Sequence, residues 1–515
     1  MSNIVYLEKV NETVVKVDCN DEVAHNLYCR YSAYSPGYIF NPRYKMHVWD
    51  GMIHMYTPRS STIPMGLLPD VIRYFDKEGI EYKLSNFTNM IDENIDDWFE
   101  NQMKMNMVNA PYPLRDYQKE AIYAALKNKK GILLSCTSSG KSLMIFNIIV
   151  TLLTQKKLKK TMIVVPNKTL VEQLYKDFID YGWKNIDICV TKLYDEEKKN
   201  VDFRKPVLIT TWQSIYKKEK SFFEDYQAVI CDEAHQIKCQ SLSTILKSCT
   251  NASYKIGTTG TLSTEASDNL TIQSILGDIL FELRSKDLIE KGYLTKITIA
   301  NILVKYPMEF IKTHKNLQYP EEVRYVEEYP ERNKALDLIL DHTPESHNIL
   351  LLVNHRDHEK SLQEYLKAKY PNKKVSIIDG SVKAKERESI RTGIENEDGT
   401  ILLATFGTMS TGVNIPKLHA VVLYSNSKSK IKVLQSIGRG LRKHNTKSHV
   451  ILYDIIDDLS YYTPKGKHKK NYLYQHWEER TKYYVEQEFP QITTNLKLEY
   501  HPEDQKWTLD PLYVW

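Results

Sequence analysis

The run Gly131-Ile132-Leu133-Leu134-Ser135-Cys136-Thr137-Ser138-Ser139-Gly140-Lys141-Ser142 decides how the rest of the chain is read. An apolar strand enters it, and the apolar stretch 143–153 leaves it as a helix. A phosphate-binding loop requires that context. Amides of the turn and of the helix N-terminus point at phosphate oxygens, and Lys141 offers a point charge to the β- and γ-phosphates. The Ser142 hydroxyl is a magnesium ligand of the right hardness. Ser135 occupies the place of the pattern's first glycine, so the loop by itself leaves a chance turn open.

Downstream, the apolar strand 228–231 runs into Asp232-Glu233-Ala234-His235. Two carboxylates at the end of a strand sit at the carboxyl edge of a sheet, where open α/β folds bind ligands. Asp232 can hold Mg²⁺ and Glu233 can polarise an attacking water. The alternative is a helix N-terminus that simply favours acids. A third cluster, Gln435-Ser436-Ile437-Gly438-Arg439-Gly440-Leu441-Arg442, places Arg439 and Arg442 three apart, on one helical face. Two guanidinium groups suit charge developing on a transferred γ-phosphoryl group, provided two domains close over one nucleotide. An Arg-rich surface helix is the plainer reading of the same spacing.

Around these clusters, apolar strands alternate with amphipathic helices. Strands are expected at 131–135, 161–165, 207–210, 228–231 and 254–258, and the rhythm restarts at 348–353, 374–378, 399–405, 420–424 and 449–453. Continuous apolar strands separated by helices imply parallel sheets covered on both faces, hence two α/β domains in tandem. Residues 297–328 are read as the bridge between them, with a helix near 475–488 and an unassigned tail. Before residue 105 the pattern is that of a small α+β unit. It has strands at 4–7 and 13–17, a helix at 22–31, paired strands at 38–44 and 47–56, an amphipathic helix at 67–77 ending at Gly79, and a strand at 80–84. The division expected is 1–105, 106–298, 299–480 and a tail 481–515.

Composition narrows the class. A chain of 515 residues with 42% hydrophobic and 26% charged residues is globular and too long for one core. The longest apolar stretch, 144–154, is about half of a bilayer span, and no signal-peptide pattern opens the chain. Seven scattered cysteines without C-x-x-C spacing indicate a reducing compartment, such as the cytoplasm, and neither a disulfide framework nor a zinc knuckle. The net charge of +5 says little, but its distribution is uneven. Residues 1–110 hold 10 Lys+Arg against 15 Asp+Glu, and the remainder 60 against 50. An acidic module therefore precedes a basic body.

Taken together, the clusters resemble the motifs of superfamily 2 helicases and translocases, from about residue 113 to residue 458. Leu114-Arg115-Asp116-Tyr117-Gln118 looks like the adenine-reading motif, with Gln118 on the base edge and Arg115 beside it. Ser139-Gly140-Lys141-Ser142 matches motif I, and Asp232-Glu233-Ala234-His235 matches motif II in its DEAH form. Thr259-Gly260-Thr261 occupies the place of motif III, which couples hydrolysis to domain movement in the family. Ser410-Thr411-Gly412-Val413-Asn414 resembles motif V, and 435–442 resembles motif VI. The resemblance implies two tandem RecA-like domains that bind ATP and Mg²⁺. Gly412 and Asn414 would line the nucleotide site, while Gln435, Arg439 and Arg442 would act on the γ-phosphate. Asn414 stands where many relatives carry an acid, and Ser135 and Ser138 stand where glycine is often found.

Family geometry further implies a nucleic-acid strand crossing both domains. Its contacts would be Pro166, Asn167, Lys168, Thr211, Trp212 and Gln213 on the first, and His355, Arg356, Gly380, Thr405 and Thr411 on the second. Trp212 can stack a base or serve as core. The N-terminal stretches Asn41-Pro42-Arg43-Tyr44 and Val48-Trp49-Asp50-Gly51 are similar to the first domain of the UvsW-type helicases of T-even-like phages. This implies a monomeric ATP-driven helicase on branched DNA, single-stranded DNA and RNA–DNA hybrids, with Arg43, Lys45 and Trp49 touching DNA. Trp49 and Tyr44 as core of the small domain remain the alternative. An RNA helicase, a duplex translocase without strand separation, and a non-catalytic ATP switch are the competing functions.

Overall fold

The runs Thr161–Val165 and Val207–Thr211 are buried at every residue, because the sheet that holds them is covered on both faces. The computed structural model describes residues 4–87, 91–92, 95, 99, 111–194, 201–313, 317–378, 384–410 and 415–499. The chain divides into two units, Met1–Leu283 and Arg284–Trp515.

The first unit carries a seven-stranded sheet, all parallel, in the order Ile279–Leu283, Lys130–Ser135, Tyr254–Thr259, Ala228–Asp232, Thr161–Val165, Val207–Thr211, Val190–Leu193. The second unit repeats the plan, with Val375–Ile378, Ile401–Thr405, Ile349–Val353, Ala420–Leu423, His449–Asp458, Lys296–Lys305 and Gln491–Lys497 in spatial order. These are the two tandem RecA-like sheets expected from the strand–helix rhythm. In both, parallel strands bring every carboxyl end to one edge.

The small N-terminal fold belongs to the first unit. Its sheet runs Thr62–Pro64, Val14–Asp18, Val5–Lys9, Tyr82–Ser85, with the helices Asp21–Arg30 and Leu68–Glu78 closing a core around Leu7, Val15, Leu27 and Phe75. It is fastened to the larger sheet. The Glu12 carboxylate accepts from Lys130, and Arg73 donates to Asp278 at 2.6 Å. A Cβ on Gly66 would stand 2.3 Å from the Gln273 carbonyl oxygen, so only glycine permits this approach.

Several expectations change. Residues 38–44 and 47–56 do not pair as strands. Tyr38–Phe40 is a 3₁₀ turn and Pro42–Lys45 a short helix, started by Pro42 and by the Asn41 side chain accepting from the Arg43 amide at 3.0 Å. Met52–His54 pairs instead with Ser32–Tyr34. The segment 297–328 is not a bridge: Lys296–Lys305 is a central strand of the second sheet, so a division at 298/299 would cut it. Nor is 481–515 wholly a separate tail, because Gln491–Lys497 is the edge strand beside Lys296–Lys305. Its alternating burial, one face covered and one open, hid it from a search for continuous apolar runs. The expected boundary at 105 lies outside the described residues.

Candidate nucleotide site and nucleic-acid edge

At the carboxyl end of Lys130–Ser135 the chain turns through Ser138 (φ 71°) and Gly140 (φ 83°) into the helix Lys141–Thr154. A Cβ on Gly140 would meet Gln118 Nε2 at 2.4 Å, which explains the glycine by space as well as by dihedral. Ser138 takes a left-handed conformation that glycine adopts without strain, consistent with the family's usual residue there. Ser135 is fully buried and its hydroxyl donates to Ser139 Oγ at 2.7 Å, so the serine in the first glycine's place ties the loop to itself. Lys141 Nζ donates to the carbonyl oxygens of Ser135 (3.1 Å) and Cys136 (3.3 Å). Ser142 Oγ lies 2.8 Å from the Tyr181 hydroxyl.

Gln118 is 4% exposed, and both ends of its amide are engaged. Oε1 accepts from the Arg115 amide at 2.9 Å, and Nε2 donates to the Ser139 carbonyl at 3.0 Å. Arg115 caps the helix Asp116–Asn128 and its guanidinium donates to the Tyr117 hydroxyl, which itself donates to Ser139 O. The expected adenine-reading residues thus grip the phosphate loop itself.

Asp232 and Glu233 end the strand Ala228–Asp232. Register places Thr258 opposite Asp232, and the Thr258 hydroxyl donates to Asp232 Oδ1 at 2.6 Å. Burial and the adjacent Glu233 charge push the Asp232 carboxyl up, against the pull of Lys141. Glu233 adopts φ 53°, and its Oε2 stands 3.3 Å from His235 Nδ1. His235 Nδ1 is also 3.1 Å from Thr259 Oγ1, whose hydroxyl donates to Thr261 O at 2.9 Å. Because that hydroxyl is already committed as a donor, the proton belongs on His235 Nδ1, where Thr259 and Glu233 both accept. A chain of bonds therefore joins the DEAH residues to Thr259-Gly260-Thr261.

The donor set fits a hard divalent cation. A carboxyl group raised by burial beside a second carboxylate gains from a positive neighbour, and a hydroxyl–carboxylate pair leaves positions for phosphate and water oxygens. Among the described residues no group of three or more His, Cys, Asp or Glu side chains gathers for a metal.

In the second unit Gln435 and Arg439 lie on the helix Lys430–Gly440. Arg442 falls beyond its end, so the shared helical face expected for Arg439 and Arg442 is not formed. Instead the segment is pinned by its backbone: the Thr295 amide donates to Leu441 O at 2.8 Å and the Thr295 hydroxyl to Arg442 O at 3.3 Å. Sequence reasoning missed Lys447. Its buried ammonium donates to Gly440 O at 2.7 Å and Leu418 O at 2.8 Å, satisfying the helix terminus, and burial lowers its pKa to about 7. Only a lysine shortly after the helix hinted at this role.

The expected nucleic-acid residues lie on the carboxyl edges of their sheets. Asn167 caps the helix Lys168–Asp180 through Leu170 N at 3.0 Å, behind a buried Pro166 and beside an exposed Lys168. Thr211 ends its strand, Trp212 packs half-buried against the core, and Gln213 donates to Pro166 O at 3.4 Å. His355 and Arg356 are exposed after Ile349–Val353, with His355 Nδ1 3.1 Å from Glu327. Thr405 lies 2.9 Å from the Thr408 hydroxyl. On the small domain Arg43 and Lys45 are exposed, and Trp49 is half-buried with its indole donating to Met52 O at 2.8 Å. Neither Trp49 nor Tyr44 belongs to that domain's buried core. Gly380, Thr411, Gly412 and Asn414 lie outside the described residues.

Three family models match the chain: the res subunit of type III restriction enzymes over 111–264, the helicase conserved C-terminal domain over 331–444, and the N-terminal domain of DNA helicase UvsW over 7–86. The ATP-dependent DNA helicase uvsW of Enterobacteria phage T4 is 30% identical over 500 residues, covering 94% of this chain and 98% of that one. The crystal structure of T4 UvsW superposes with a TM-score of 0.50 at 28% identity, over 96% of this chain and 99% of that one. A putative HsdR subunit of a type I restriction enzyme from Vibrio vulnificus YJ016 shares the fold, with a TM-score of 0.57 at 16% identity over 87% of this chain and 76% of that one. With the nucleotide loop, the DEAH edge and the N-terminal module all in place, the chain belongs to the UvsW family of ATP-dependent DNA helicases.

Proposed function

We propose that this helicase remodels branched DNA and R-loops, by branch migration, fork regression and unwinding of RNA–DNA hybrids, in phage recombination, replication and repair. The observation that supports it is the fastening of the small N-terminal fold to the first motor sheet through Glu12–Lys130, Arg73–Asp278 and Gly66. A motor that only walks along one strand needs no such module. One held rigidly can meet a second arm of the substrate through Arg43, Lys45 and Trp49. We place it as a monomer in the host cytoplasm, and no helix among the described residues is long and apolar enough to cross a membrane.

In this reading, Lys141 Nζ would leave the carbonyls of Ser135 and Cys136 for the β- and γ-phosphates of ATP, and Gln118, with Arg115 beside it, would exchange its Ser139 partner for the adenine edge. Ser142 and Asp232 would hold Mg²⁺, which supplies charge neutralisation on the phosphates. Glu233 orients the attacking water, and His235 holds Glu233 in position. Gln435, Arg439 and Arg442 would stabilise the charge that develops on the γ-phosphoryl group. The DEAH-to-Thr261 chain of bonds passes the change at Glu233 to the strand end Tyr254–Thr259.

The test measures ATPase with and without branched DNA, then strand separation on matched fork, Holliday-junction, R-loop and RNA-duplex substrates. Preference for junctions and R-loops is expected. Equal activity on the RNA duplex, or translocation without separation, would replace this reading with an RNA helicase or a duplex translocase. ATP binding without turnover would reduce the protein to a switch.

A further inference from the structure

Directly after the strand His449–Asp458 the chain forms a small antiparallel hairpin, Tyr461–Tyr462 against His468–Lys469. None of the site residues named above lies in it. Its five-residue loop is closed by Thr463 N to Lys467 O (2.9 Å), Gly466 N to Thr463 O (2.8 Å) and Lys467 N to Thr463 Oγ1 (3.1 Å), with Gly466 at φ 74°. Between Asp458 and Glu478 the sequence has four lysines (465, 467, 469 and 470) and no acid. Lys470 is paired with Glu478 at the hairpin's foot. Lys465 and Lys467 are exposed and have no carboxylate partner among the described residues. Tyr462 is 73% exposed and lies across from His468, ring centroids 4.8 Å apart.

The foot of this exposed hairpin is rigid. Asn471 accepts from Leu459 N at 3.1 Å and donates to Asp457 O at 3.0 Å and Glu322 Oε1 at 2.8 Å. Glu322 also accepts from the amides of Tyr472 (3.1 Å) and Leu473 (2.8 Å), so the outgoing end is held by one buried carboxylate and Asn471 ties the incoming end to it. A solvated loop needs no such foundation, whereas an element that bears load does. Because the sheet is parallel, the hairpin rises from the same carboxyl edge as Thr405 and His355.

We propose that this hairpin is a further DNA contact of the second motor domain. Lys465 and Lys467 neutralise backbone phosphates, and the Tyr462 ring stacks on a base or sugar. Unpartnered cations without nearby acids fit a polyphosphate, and an open aromatic face beside them fits a nucleic acid better than an acidic peptide. The proposal rests on the reading of the chain as a DNA motor.

The experiment uses the full chain and a fluorophore-labelled fork, with binding followed by anisotropy across a salt series in the absence of nucleotide. K465E/K467E is expected to weaken binding about tenfold and to lower the log–log salt slope by about 2, while K465R/K467R keeps both. Y462A is expected to lose about fivefold. Basal ATPase without DNA stays unchanged in all three, since none of these residues touches the nucleotide. Unchanged affinity and slope in K465E/K467E overturn the proposal, as does an Arg variant as weak as the Glu variant. Hairpin-dependent binding in a wild-type chain whose ATPase ignores DNA would uphold the hairpin and sink the motor reading instead.

Discussion

The two motor sheets share a topology and use charge in opposite ways. At the edge of the first, Lys141 is held by carbonyl oxygens and Asp232 by a hydroxyl. Neutral dipoles of that kind exchange readily for phosphate and metal. In the second, two arginines are sunk into the interior against carboxylates. Arg332 meets Asp457 at 2.7 Å and Arg480 meets Asp454 at 2.8 Å, all four buried. Tyr306, Tyr484 and Asn426 take further carboxylate oxygens of these pairs. Burial works against the Arg332 charge, and Asp457 together with Tyr424 and Tyr306 outweighs it. The lesson is that a charge at a sheet's carboxyl edge held by neutral, replaceable partners marks chemistry, whereas a buried pair of opposite charges marks framework.

That distinction breaks if the two kinds of residue fail in the same way. Glu233→Gln should cut DNA-stimulated ATPase by about 10²–10⁴-fold with the melting curve unmoved, and Lys141→Ala should abolish turnover. Asp457→Ala should do the reverse, costing about 3–5 kcal/mol in chemical denaturation because it strands a buried guanidinium. If Asp457→Ala leaves stability intact, the framework half of the comparison is wrong.

A finer probe is Glu327, which faces His355 at 3.1 Å and His358 at 3.3 Å. Burial would raise its carboxyl, but hydrogen bonds and charge from His358, with Ser425 and His355, bring it down to about 2. A depressed folded pKa adds stability above the unfolded value of 4.5, lost as pH falls from there toward 2. The depressed Glu327 carboxyl should contribute on the order of 3 kcal/mol above that range. Glu327→Gln should flatten that part of the stability–pH curve, and an unchanged acid limb would refute the assignment. The smallest effect expected is from Thr258→Val, which removes about 1–1.5 kcal/mol of hydrogen bonding to Asp232. It should raise the Mg²⁺ concentration needed for half-maximal ATPase several-fold, with no change in DNA binding.

Much of this was legible in residue order. The strand before Ser135, the helix after Lys141 and the paired acids after Cys231 depend on local period and turn chemistry, so their placement follows from the sequence. The misreadings share a cause. Residues 38–44 carry aromatic spacing that looks like a strand, yet the Asn41 cap and Pro42 start a helix. Gln491–Lys497 alternates, and its neighbour in the sheet, Lys296–Lys305, lies far away in the chain, so no local pattern marks it as a sheet edge. The Arg439–Arg442 face depended on a helix that stops at Gly440, where Lys447 donates to its carbonyl.

By itself, then, the sequence determined which chemistry is present: a phosphate loop, two acids at a strand end, an arginine cluster, and two successive α/β rhythms. These are statements about neighbours along the chain, where backbone dihedrals and side-chain period are set within a few residues. Only the tertiary structure decided which strands lie side by side. That pairing puts Thr258 against Asp232 and Thr259 against His235, turns a supposed tail into the edge of a sheet, and anchors the basic hairpin through Glu322. Such contacts join residues far apart in sequence, and they are selected by shape and burial across the whole domain, which no local spacing records.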